Sequence, residues 1–156
     1  MPNTRTFVAS VLALWAVALA TAVVTWPLDA TLALFVGGAA VAYAAELVVI
    51  QLGWLEHHVG PKLLGVPLYV LAGWTGTVYV AYRFALLAVE GWLAVALAAV
   101  LATGYDVAAD PKGVADGHWT YHTDLGGPAY RGVPWWNFAG WLAVAGATAG
   151  LASLFL

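Results

Sequence analysis

Five stretches of this chain are apolar and long enough to cross a hydrocarbon core, and nothing else in the sequence limits the fold as much. Phe7–Thr25, Val66–Tyr82 and Phe138–Leu156 carry no charge, Thr31–Gly53 carries only Glu46, and Leu86–Tyr105 carries only Glu90. Lipid offers backbone N–H and C=O groups no partners, so such stretches must close their hydrogen bonds internally, as helices. Composition points the same way. Of all residues 63% are hydrophobic and 8% charged, where soluble domains carry about a quarter charged. That leaves too little polar surface to cover a water-facing globule. The expectation is an all-α polytopic membrane protein of about five transmembrane helices, one domain over residues 1–156. It would sit multi-pass in the cell membrane, with the bilayer as its main partner. Arg5 and the run Ala18-Leu19-Ala20 would suit a signal peptide, but the apolar run exceeds a usual signal core, so a retained helix is expected.

A repeat organises these spans. Gly60–Trp74 reads GPKLLGVPLYVLAGW and Gly127–Trp141 reads GPAYRGVPWWNFAGW, sharing Gly, Pro, Gly, Val, Pro, Ala, Gly and Trp in order. Each copy follows one span and opens the next, so Pro67 and Pro134 read as helix starts, where a missing N–H costs little. Units of approximately 31–83 and 86–156 then repeat in parallel, preceded by the helix over 7–25. Two spans separate the copies, which puts both loops on one side of the membrane. Arg5, Lys62, Lys112 and Arg131 fall on that side and Arg83 on the other. The positive-inside rule makes the repeat loops cytoplasmic.

Chemistry-bearing residues gather on the loop side. Net charge is only −3 and cysteine is absent, so nucleic acid is not an expected partner and thiol chemistry is excluded. Glu46 lies roughly 10 Å inside its span at the helical rise, a position that requires pairing, protonation or a water-facing cavity. Asp106 and Asp110 share a face if their helix reaches Pro111, although Asp110-Pro111 also reads as a helix stop. Asp106 appears as the second repeat's counterpart of the Glu46 region. Carboxyls converging from two repeats would leave one able to act as an acid. Glu46 is therefore expected to face Asp106 and Asn137 across the bundle. Glu56, Asp116 and Asp124 read as solvated charges and Glu90 as an interfacial one. His57, His58, His118 and His122 offer an alternative metal set, but the glycines around His118 and His122 argue against a shared helix face, so no metal is expected. Trp15, Trp26, Trp54 and Trp92 read as interfacial anchors. Shared repeat residues are expected to serve the fold; Trp135, Trp136 and Asn137, which replace Leu68, Tyr69 and Val70, are candidates for function.

Glu46 with LGWLEHHVGPKLLGVPLYVLAGW, followed by YDVAADP, DGHWTY and YRGVPWWNFAGW, resembles the carotenoid-biosynthesis membrane proteins of the bisanhydrobacterioruberin hydratase family, related to the γ-carotene 1′-hydroxylases. The resemblance runs from about Glu46 to Leu142. It implies addition of water to the terminal C=C bond of a long acyclic carotenoid, giving a tertiary alcohol, without a cofactor. It also brings in other carotenoid-synthesis enzymes as possible partners. The residues suit that chemistry: a protonated carboxyl to deliver the proton, aromatic faces to stabilise a cation. The assignments are Glu46 or Asp106 as acid, Asp110 and Asn137 positioning water, and Trp119 and Trp136 beside the cation. Trp74, Tyr121 and Trp135 complete the substrate-binding set. Two rivals use the same residues differently: a small transporter with a buried carboxyl, and a pigment-binding partner without catalysis.

Overall fold

The computed structural model describes residues 4–122 and 126–156; Asp124 lies outside them. Among the described residues five helices form the bundle: α1 (Thr4–Thr25), α2 (Leu28–Gln51), α3 (Leu68–Ala85), α4 (Gly91–Ala115) and α5 (Trp135–Ser153). The all-α expectation holds. α2 contains a π-helical turn over Ala33–Gly37, whose Leu34 and Phe35 are buried. By length and composition α1, α2 and α4 could each cross a membrane. Thr75, Thr77, Tyr69, Tyr79 and Tyr82 of α3 and Thr148 of α5 are buried in the bundle.

α3 is the central element, packed by all four other helices, while α4 packs against α5 and α2 against α5. Small residues permit the close approaches, as is usual between membrane helices. A Cβ on Gly76 would lie 3.2 Å from the Trp15 Cα of α1, and one on Gly38 would lie 2.4 Å from the Thr148 side chain of α5. Outward faces stay apolar: Val17, Val24, Val36, Leu93 and Val100 are all exposed.

Three boundaries correct the sequence reading. Pro67 and Pro134 sit in extended backbone just before α3 and α5 rather than inside them. α4 does not stop at Tyr105 or at Asp110-Pro111; it runs through Pro111 to Ala115. Asp106 and Asp110 therefore both project from one helix, on its buried face.

The two long loops meet at one end of the bundle. Between α2 and α3 lie β1 (Leu55–His57), β2 (Lys62–Leu63) and β3 (Val66–Pro67); between α4 and α5 lie β4 (Trp119–Tyr121), β5 (Ala129–Tyr130) and β6 (Val133–Pro134). The repeated sequence builds the same hairpin twice. Lys62 pairs with Pro67 and Ala129 with Pro134. The turn residues Leu64-Gly65 and Arg131-Gly132 have φ of 49° and 94°, and of 50° and 87°. Two consecutive positive φ values make a type I′ turn, which favours glycine at its second position. Val66 and Val133 are fully buried. The first helical N–H of each unit, on Leu68 or Trp135, donates back to the Pro61 or Pro128 carbonyl at 3.0 Å. Gly, Val and both prolines of the shared sentence are thus explained by one hairpin that launches a helix.

β1 pairs antiparallel with β4, Leu55 opposite Tyr121, Glu56 opposite Thr120, and His57 opposite Trp119. This register is symmetric about the Glu56–Thr120 pair. A two-fold axis there exchanges His57 with Tyr121. Carried back along both helices by the same number of residues, it exchanges Glu46 with Asp110. Asp106 then corresponds to Ala42, which corrects its assignment as the counterpart of the Glu46 region.

Candidate active site

A cavity of about 440 Å³ opens beneath the β1–β4 ribbon, bordered by α1, α2, α3, α4 and α5. Pockets of that size hold small molecules or the end of a longer one. Its walls divide by chemistry. Phe7, Val11 and Leu14 of α1, with Val70 and Gly73 of α3, make an apolar side. Glu46, His57, Asp106, Asp110, Tyr121 and Asn137 bring in the polar groups.

Two carboxyl clusters related by the two-fold pattern line it. In the first, Glu46 Oε2 lies 3.0 Å from His57 Nε2, and Trp74 Nε1 donates to Glu46 Oε1 at 3.2 Å. In the second, the Tyr121 hydroxyl donates to Asp110 Oδ2 at 2.8 Å. Asn137 Nδ2 donates to Asp106 Oδ2 at 2.9 Å and lies 3.4 Å from Asp110 Oδ2. Each carboxyl partner stands eleven residues along the chain, Glu46 to His57 and Asp110 to Tyr121. That equal spacing carries the repeat symmetry down to side chains. Glu46, Asp106, Asp110 and His57 are all buried. Burial, with the neighbouring Asp110 and Asp106 carboxyls, pushes the Tyr121 pKa well above its ordinary value, so its O–H remains a donor at neutral pH.

Aromatic side chains line the same cavity. Trp74 and Trp141, repeat-equivalent residues, stack with centroids 3.6 Å apart and planes inclined by 19°. Trp119 packs against Gly113, where a Cβ would approach its ring to 2.0 Å; the absent side chain makes room for the indole. His118 stacks on Phe7 at 4.1 Å. Burial lowers its pKa, and neither ring nitrogen has a partner among the described residues. Lys112 and Asp116 form an ion pair and also border the cavity, so Asp116 is not merely a solvated charge.

The structure brings Glu46, Asp106, Asp110, Asn137, Trp74, Trp119 and Tyr121 to this one cavity. Two expected members are elsewhere. Trp135 is 50% exposed and leans over the Gly127 turn. Trp136 stands behind the site, 5.5 Å from both Tyr121 and Trp54. Trp54, half-buried just after α2, packs against Trp136. The alternative metal set does not assemble. His57 bonds Glu46, His58 Nε2 lies 2.8 Å from the Thr120 hydroxyl, His118 stacks on Phe7, and His122 is exposed. Among the described residues no three His, Cys, Asp or Glu side chains converge as a metal site.

Sequence reasoning missed His57 as the partner of Glu46, Trp141 as the partner of Trp74, and the α1 wall. Trp141 was recoverable from the repeat, since its equivalent Trp74 was already a candidate. The Glu46–His57 contact depends on how the chain turns between α2 and β1. Periodicity does not encode that turn.

The family model described as "Carotenoid biosynthesis protein" matches residues 6–156. The chain is 37% identical over 113 residues to the bisanhydrobacterioruberin hydratase of Haloarcula japonica, an alignment covering 65% of this chain and 37% of that protein. The chain thus aligns with well under half the length of that relative. No solved structure matches it. A family match over nearly the whole described chain, joined to a helical bundle with an apolar-walled cavity, identifies this protein as a member of the carotenoid biosynthesis protein family.

Proposed function

We propose that this chain hydrates the terminal C=C bond of an acyclic carotenoid to a tertiary alcohol. The observation that carries the reading is one open cavity lined by two carboxyl clusters, by indole rings and by hydrocarbon side chains of α1. The name of the Haloarcula japonica relative supports the same reaction class.

In this reading Asp106 and Asp110 share one proton beside the Asn137 amide, and Asp106 delivers it to the less substituted alkene carbon. The C=C π electrons form the new C–H bond, leaving a tertiary cation. Trp74, Trp141 and Trp119 present π faces to that cation, an interaction worth about 2 kcal/mol when water is excluded. Water then adds through its oxygen and loses a proton to Glu46. This refines the earlier assignments: Asp106 is the acid, Glu46 the base, and Asn137 holds the aspartates rather than the water. Protons balance, one given and one taken. The polyene itself would lie in lipid along α1.

We further propose that all five helices span the membrane as one domain with the ribbon end cytoplasmic, in keeping with Lys62, Lys112 and Arg131 at that end and Arg83 at the other. Arg83 donates there to the Thr25 hydroxyl at 2.8 Å. Expression in a lycopene-producing cell tests the activity. Pigments should gain one water per modified end, with oxygen labelled from H₂¹⁸O. Label drawn from O₂ would replace the hydratase with an oxygenase, and an unchanged pigment pool beside inserted protein would leave a binding partner.

A further inference from the structure

Four helices surround α3, and their ring is open on one side. α1 packs on α2, α2 on α5 and α5 on α4, but α4 and α1 do not pack along each other. Both helices nevertheless border the large cavity. Each edges it with side chains that are also exposed: Ser10 and Leu14 on α1, and Tyr105, Ala108 and Lys112 on α4. The α4 residues recur at i, i+3 and i+7, so they form one row along that helix. Exposed members of a cavity wall on two helices that leave a gap mark the cavity's mouth.

The mouth faces lipid. Along α4 its edge passes from Tyr105 and Ala108 to the Lys112–Asp116 ion pair. At the helical rise that is a change from hydrocarbon to charge over about 16 Å, near half the thickness of a bilayer's hydrocarbon core. At the charged end Phe7 of α1 stacks on His118, joining α1 to the loop after α4 and narrowing the approach from that side. Ser10 and Ala108 each stand about one turn in from that end, and both are small. The Ser10 hydroxyl donates to the Phe7 carbonyl at 2.7 Å, so it meets lipid without an unpaired donor. The middle of the mouth is therefore open and free of polar demands.

We propose that the gap between α1 and α4 is a lateral portal through which one end of a polyene enters the cavity from the bilayer. The chain would pass between Ser10 and Ala108 while its remainder stays in lipid. A water-insoluble rod can reach the carboxyl clusters only through an opening that the bilayer supplies. That the occupant is an acyclic carotenoid rests on the hydratase reading.

The test uses the full chain in lipid vesicles loaded with lycopene. Ser10→Trp and Ala108→Trp fill the mouth from opposite helices. Each should lower kcat/KM at least about tenfold, the scale of a steric mismatch in an apolar pocket. Ala108→Ser keeps the small volume and should keep the wild-type rate. Val100→Trp, at an exposed position of α4 away from the cavity, should also be silent. Lycopene retained per purified protein reads the portal without catalysis, and it should fall in the two mouth variants alone. Wild-type retention and kcat/KM in both folded mouth variants would overturn the portal while hydration stands. An equal fall in Val100→Trp would overturn it too, as an effect of bulk in the bilayer. Pigment held by the wild type and lost from the mouth variants, with no hydrated product from any of them, would uphold the portal and overturn the hydratase reading.

Discussion

Asp106 and Asp110 stand one helical turn apart and both approach the same Asn137 amide nitrogen. Their position makes a sharp expectation at the level of single residues. Asp106→Asn or Glu46→Gln should cut hydration by about a hundredfold or more, the usual scale for removing a general acid or base, while membrane insertion is unchanged. Product analysis beside a membrane-fraction blot reads both quantities at once. His118 supplies a pH expectation. Its pKa is lowered in the folded chain by burial, so folding favours the neutral ring. Its contribution is complete above the ordinary histidine pKa of about 6.5 and declines as pH falls toward the lower folded value. Thermal midpoints in detergent should drop on acidification from pH ~7 to ~5. His118→Phe, which preserves the stack on Phe7, should drop less.

At the level of elements, glycines decide which helix faces can meet. Gly113→Ala places a methyl where the Trp119 ring lies, 2.0 Å away. The indole must leave the cavity wall, at a cost of about 1–3 kcal/mol as an overpacking substitution. Gly104 sits on the same helix with nothing within 4 Å of its would-be Cβ. Gly104→Ala should therefore be neutral or stabilising by about 0.5–1 kcal/mol. Comparing the unfolding of the two variants, with tryptophan emission as a second readout, separates packing from helix propensity. The helices themselves were legible in the sequence, because apolar length suffices to specify them. The run of α4 beyond Pro111 was not. Asp110-Pro111 is compatible with a stop or a continuation, and the packing of Asp106, Asp110 and Gly113 into the bundle accompanies continuation.

For the whole molecule, the β1–β4 pairing brings both loops to one end. If all five helices span, a reporter fused after Leu156 should be external and one inserted in the Leu64-Gly65 turn cytoplasmic. The reverse pattern would invert the proposed topology, and both reporters on one side would remove a span. The same two-fold arrangement explains why the repeat sentence occurs twice: each copy builds one hairpin and launches one helix, and the two final tryptophans meet as a stacked pair.

What the sequence by itself determined is what local physics encodes. Apolar runs without charge require helices in lipid, and the repeated Gly-Val-Pro marks a helix start in both halves, while the hairpin before each helix came from the structure. The cost of burying Glu46 requires partners for it, and of Trp135, Trp136 and Asn137, singled out in the second copy, Asn137 borders the cavity. Tertiary structure alone decided which partners those are. His57 reaches Glu46 through a turn, and Trp141 reaches Trp74 across the repeat axis. Trp135 is left outside because its hairpin turns it over Gly127. Such contacts depend on the register of β1 against β4 and on close helix approaches at glycine. Both are properties of distant segments meeting, and neither leaves a period in the chain.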